Sequence, residues 1–71
     1  MKNNLSISII VPIFNEQDTI LKILKKLNII KDKYEAEIIL VNDGSTDNSR
    51  SIINENKALY SQCIHFEKNR G

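Results

Sequence analysis

Three short apolar runs, separated by stretches of different character, constrain this chain more than any other feature. "SISIIV" (6–11) is β-branched and nearly continuous in apolarity, as in a strand buried on both faces, and Pro12 closes it. "EIILV" (37–41) is likewise too uniform for a half-exposed hairpin strand, and "CIHF" (63–66) is a third strand candidate. After the first run, Ile20, Ile23, Leu24, Leu27 and Ile30 recur at helical spacing, with Lys22, Lys25 and Lys26 largely off that stripe. That spacing predicts a helix over 17–29. The polar segment "KDKYEA" (31–36) serves as a connector, and a weaker stripe of Ile52, Ile53 and Leu59 predicts a second helix over about 47–59.

The alternation β-α-β-α-β builds a parallel sheet. With right-handed crossovers it gives half of a doubly wound, Rossmann-like α/β unit, with strand order 3-2-1. Both crossovers then place their helices on one face of the sheet. The opposite face keeps its apolar side chains, and nothing in the sequence can cover it. The expectation is therefore an incomplete domain, and 71 residues make at most one small, marginally stable unit.

Local signals suggest the helix starts. Asn15 stands where an N-cap is wanted, with Asp18 three residues on as a capping-box-like partner. Ser45 or Thr46 can cap the second helix, with Asp47 in its first turn near the positive end of the dipole.

Composition excludes several classes. Lys and Arg total 10 against 9 Asp and Glu, a net charge of +1 that lacks the basic excess of a nucleic-acid domain. That balance also gives no reason to expect a polybasic membrane patch. The N-terminal apolar run is broken by Ser6 and Ser8, ends at Pro12 and lacks a cleavage site, so it is neither a secretory signal nor a membrane span. A soluble, cytoplasmic protein is expected. Cys63, the only cysteine, reads as a small buried hydrophobe and His65 as structural.

In open parallel sheets, ligands bind beyond the carboxyl ends of the strands. Two polar clusters fall there, "PIFNE" (12–16) and "NDGSTD" (42–47). If the strands are adjacent, Glu16 and Asp43 can approach one pocket, where carboxylates accept hydrogen bonds from a base or from ribose hydroxyls. Gly44 permits a tight turn, and the following helix N-terminus offers N–H donors to phosphate. The chemistry suggested is nucleotide binding. Each cluster alone is also ordinary turn and capping chemistry, so a plain structural turn stays open. Glycine-rich phosphate loops, calcium loops and Cys/His metal sets all fail on spacing.

The ordered segments "SIIVPIFNEQDTI", "YEAEIILVNDGSTDNS" and "IHFEKNRG" together resemble the opening of family 2 glycosyltransferases of GT-A fold, from about Ser6 to Gly71. Within that family the chain looks most like enzymes that move a sugar from a nucleoside diphosphate donor to a polyprenyl or dolichyl phosphate. The resemblance implies that Pro12 and Phe14 line the nucleotide pocket, that Glu16 contacts the nucleoside, and that Asp43 binds base or ribose. Asn42 stands where many members carry another Asp. Ser45 and Asp47 fall to the turn and the helix cap, and Asn69, Arg70 and Gly71 begin a basic segment near the donor phosphates. The family also implies Mg²⁺ or Mn²⁺ on a later D-x-D motif, with the ion acting as a Lewis acid on the leaving diphosphate. No D-x-D occurs here, so residues 1–71 are expected to be the N-terminal donor-binding part of such a domain, inactive alone and peripheral at the membrane. The rest of the domain or another chain would cover the sheet. The alternative is a non-catalytic α/β stub that associates through its uncovered sheet face.

Overall fold

The computed structural model describes residues 7–68. Strand β1 (Ser8–Ile13), helix α1 (Ile20–Tyr34), strand β2 (Glu37–Asp43), helix α2 (Ser49–Asn54), a 3-10 turn (Lys57–Leu59) and strand β3 (Gln62–Phe66) follow in the anticipated order. β2 lies between β1 and β3 and is parallel to both, so the 3-2-1 order holds. The register pairs Val11 with Leu40 and Leu40 with Cys63.

β1 starts and ends two residues later than the apolar run and passes through Pro12 instead of stopping there. The Ile7 carbonyl accepts the Glu37 N–H at 2.8 Å. Alternate residues 9, 11 and 13 therefore direct their backbone groups at β2, and Pro12 falls on the outer edge, where its missing N–H costs no ladder bond. β2 continues through Asn42 and Asp43, both poor strand formers, because Ile13 and His65 pair with Asn42, and Phe66 with Asp43.

Both helix starts differ from expectation. α1 begins at Ile20 with Thr19 at the N-cap position, and no side chain caps it. Asn15 cannot be the cap, because its φ of 52° is left-handed and its side chain is used elsewhere. α1 runs on through the polar connector to Tyr34, where left-handed Glu35 closes it and Lys31 and Lys33 sit favourably at the negative end of the dipole. α2 has Asn48 at its N-cap position, not Ser45 or Thr46, and Asp47 lies outside it. It is six residues long. The Asn56 amide donates to the Ile52 carbonyl at 2.8 Å and the Tyr60 hydroxyl to that of Ile53 at 3.0 Å. These side chains take acceptors that a longer helix would need, and the chain turns out of it.

Helices and sheet enclose one core on one side. Ile13, Ile38 and Leu40 from the strands pack with Ile20 and Leu24 of α1, Ile53 of α2, and Tyr60, all buried. The other sheet face carries Ile10, 66% exposed, and Ile64, 46% exposed, with Ile39, Val41 and Phe66 half-buried between them. The uncovered apolar face inferred from the crossovers is present.

Candidate functional site

The loops after β1 and β2 are tied together by side chains from both. The Asn15 N–H donates to the Ser45 hydroxyl at 3.0 Å, and Asn15 Oδ1 accepts the N–H groups of Thr46 at 2.8 Å and Asp47 at 3.3 Å. Asparagine tolerates the left-handed conformation that this double role requires. The Glu16 N–H donates to the Ser49 hydroxyl at 2.8 Å, the Gln17 N–H to Asp47 Oδ2 at 3.1 Å, and the Asn48 N–H to Gln17 Oε1 at 2.9 Å. Asp47 Oδ1 accepts the Ser49 N–H at 2.8 Å and so orders the approach to α2 from outside it. Ser45, Asp47 and Ser49 thus clamp the two loops to each other more than they cap a helix. Replacing Asn15 by alanine removes the acceptor of two loop N–H groups, and we expect a loss of about 0.5–1.5 kcal/mol, read as a lowered urea midpoint with the fold intact by circular dichroism.

Asn42 and Asp43 take opposite sides of the sheet. Asn42 points into the core and is buried. Its Oδ1 accepts from the Ser45 N–H and hydroxyl, which leaves Nδ2 to donate to His65 Nδ1 at 3.0 Å. His65 Nδ1 must then be an acceptor, so the ring is neutral with its proton on Nε2. Burial and the Arg50 charge push His65 below its ordinary value of 6.5, against a smaller opposing pull from Glu67. Cys63 is half-buried against the core, and burial raises its thiol, which disfavours a nucleophilic thiolate. Both residues are structural in this arrangement.

The Asp47 carboxyl feels some desolvation, but hydrogen bonds from Ser49, Gln17 and its own backbone outweigh it and hold the group below 3.8. Both His65 and Asp47 are therefore depressed in the folded state. A depressed group binds protons better when unfolded, so its contribution is present above the unfolded value and is lost as pH falls. Urea unfolding should show a stability plateau near about pH 7.5, declining as pH falls below the unfolded His65 value and again below that of Asp47, and declining at alkaline pH, where the buried Cys63 thiol stays protonated in the fold but ionises once unfolded. His65→Gln should flatten the first limb and leave the second.

The sheet alternation puts Asp43 on the open face, with Pro12 and Val41 paired one step before it. On β3 the register partner of Asp43 is Phe66, and one residue past the β1 ladder Phe14 stands level with Asp43 on the other side. Phe14 is 44% exposed, while Asp43 and Phe66 are half-buried. Gly44, at φ 72°, makes the turn that ends β2, its N–H returning to the Asn42 carbonyl at 3.0 Å. A β-carbon would be strained there. Glu16 lies on the adjoining loop, but its carboxylate accepts the Thr19 hydroxyl at 2.9 Å, so the described contacts tie it along its own loop. Pro12, Phe14 and Asp43 thus share one end of one face, and Phe66 joins them unforeseen. Among the described residues no three His, Cys, Asp or Glu side chains gather as metal ligands. Asn69, Arg70 and Gly71 lie outside the described residues.

This geometry defines a parallel α/β protein whose polar and aromatic groups collect beyond the carboxyl ends of its strands. The chain belongs to glycosyl transferase family 2, which matches residues 8–71. It is 38% identical over 65 residues to a poly(ribitol-phosphate) beta-glucosyltransferase of Bacillus spizizenii, covering 90% of this chain and 10% of that protein. It is 43% identical over 53 residues to a prophage bactoprenol glucosyl transferase homolog of Escherichia coli, covering 70% of this chain and 17% of the relative. An undecaprenyl-phosphate 4-deoxy-4-formamido-L-arabinose transferase of Pseudomonas fluorescens is 39% identical over 51 residues, 69% of this chain and 15% of that one. The chain therefore spans 10% to 17% of the length of these relatives. No solved structure matches it significantly. Among the described residues no helix is long and apolar enough to cross a membrane.

Proposed function

We propose that this chain forms part of the donor pocket of a glycosyltransferase that takes a sugar from a nucleoside diphosphate and delivers it to a polyprenyl phosphate. The observation that carries the reading is the placement of Asp43 at a strand end, level with Phe14 and Phe66 by the strand register. A base can stack on an aromatic ring while the carboxylate accepts its N–H or a ribose hydroxyl. Pro12 lies one step before Asp43 on the same face, and Glu16 would join them by exchanging its bond to Thr19 for one to the nucleoside. The lipid acceptor is supported by the names of relatives that act on bactoprenol and undecaprenyl phosphate. A Mg²⁺ or Mn²⁺ ion on the donor diphosphate belongs to the same proposal, with ligands from outside the described residues. So does a cytoplasmic location at the membrane periphery.

The test is a nuclear magnetic resonance titration of the labelled chain with the common nucleoside diphosphates. Saturable shifts confined to the amides of Phe14–Gln17 and Asp43–Ser45 are expected with one base, without sugar transfer by these 71 residues. Shifts scattered over the surface, or none with any base, would overturn the pocket. Robust transfer by the chain alone would overturn its partial character. A second reading, association through the open face, is favoured by the exposure of Ile10 and Ile64. It predicts a sedimentation coefficient that rises with concentration.

A further inference from the structure

The whole-chain charge of +1 hides a local concentration of positive charge on α1. The face of α1 turned away from the core carries Leu21, Lys22, Lys25, Lys26 and Ile29, which line one shallow groove. Leu21 is 39% exposed and Ile29 is 66% exposed. Spacings of three and four continue the same stripe to Lys33, whose ammonium lies 5.4 Å from the ring centre of exposed Tyr34. Asp18 lies one turn before Lys22, and Asp32 near the far end. Among the described residues no carboxylate comes within ion-pair distance of Lys22, Lys25 or Lys26.

We infer that this face of α1 docks on a bilayer surface bearing anionic phospholipid headgroups. Apolar side chains framed by uncompensated lysines suit the boundary between acyl chains and phosphates: Leu21 and Ile29 enter the apolar side, and the lysine stems reach outward to the headgroups. A soluble polyanion would reward the lysines but not two exposed aliphatic side chains between them. The crossover makes α1 antiparallel to the strands, so its first turn lies beside the strand-end loops. A helix lying flat on the bilayer thus holds the strand-end site close to the membrane plane. The docking surface stands on charge and exposure and does not depend on what that site binds.

Vesicle co-sedimentation of the full chain tests it. Binding is expected to vesicles of phosphatidylcholine with about 30% phosphatidylglycerol, and to weaken with salt. Each lysine near an anionic surface contributes about fivefold, so the Lys22→Gln/Lys25→Gln/Lys26→Gln variant should partition about 100-fold less. Ile29→Ser should also weaken binding, whereas Ile10→Ser on the open sheet face should not. Circular dichroism of each variant confirms that it remains folded. No binding by the wild type, or equal binding to pure phosphatidylcholine, would overturn the inference. So would loss on Ile10→Ser, which moves the contact to the sheet. Binding that needs the lysines but not Ile29 would point to a soluble polyanion and would overturn it too. Nucleotide titration of the triple variant should be unchanged, which separates this surface from the strand-end site.

Discussion

Asp43→Asn is expected to lower nucleotide affinity by about 10- to 100-fold while leaving the unfolding midpoint almost unchanged. The magnitude follows from the chemistry of one acceptor. A hydrogen bond to a charged group contributes about 1.5–3 kcal/mol, and a desolvated base or ribose donor left against an amide loses most of it. The stability half of the prediction is what separates a site from a turn. Asp43 lies on the open face, away from the packed core, and the turn around it is closed by backbone groups, the Gly44 N–H on the Asn42 carbonyl, which the exchange leaves in place. Were Asp43 only a turn residue, the variant would bind nucleotide as the wild type does. Asn42 is the necessary contrast. It is buried and bonded to His65 and Ser45, so Asn42→Ala should destabilise the chain first and affect binding only through the loss of structure.

These neighbours in sequence show what could be read from the chain and what could not. The strand order and the one-sided placement of both helices follow from the handedness of two crossovers, a rule that needs no side-chain detail. The uncovered face follows from the same rule. Pro12, Phe14 and Asp43 could be placed at the strand ends because an apolar run gives way to polar residues there. The cross-loop clamp could not be anticipated. Asn15, Gln17 and Ser49 are good capping and turn residues, and a local reading assigns them to their own loop. Only the β1–β2 register, which brings two loops about 30 positions apart side by side, sends their hydrogen bonds across. Phe66 is a similar case: it joins the site through its pairing with Asp43, not through any motif. The short α2 was hidden because Asn56 and Tyr60 end it with their side chains, although the apolar spacing continues. The lysine cluster on α1 escaped a whole-chain count because acidic residues elsewhere cancel it.

Leu40→Ala should remove most of the chain's stability, and Ile10→Ser should hardly disturb it. Both positions are aliphatic residues in strands, so composition and propensity treat them alike. Leu40 is fully buried on the central strand, between Val11 and Cys63 in register and under the helices. Truncating a buried leucine costs about 2–5 kcal/mol, through lost transfer energy and the cavity left behind. At about 0.05–0.15 kcal/mol per residue, a chain of this size has some 4–10 kcal/mol in total. One sheet face here contributes little burial, which puts this chain toward the lower end, so a single core truncation removes most of the margin. Ile10 is 66% exposed on the open face, and exchanging it for serine should change stability by no more than about 0.5 kcal/mol. Urea melts at two protein concentrations distinguish the cases. If Ile10→Ser proves as damaging as Leu40→Ala, and more so at high concentration, then the open face is buried between associated chains and the fold does not stand on its single core.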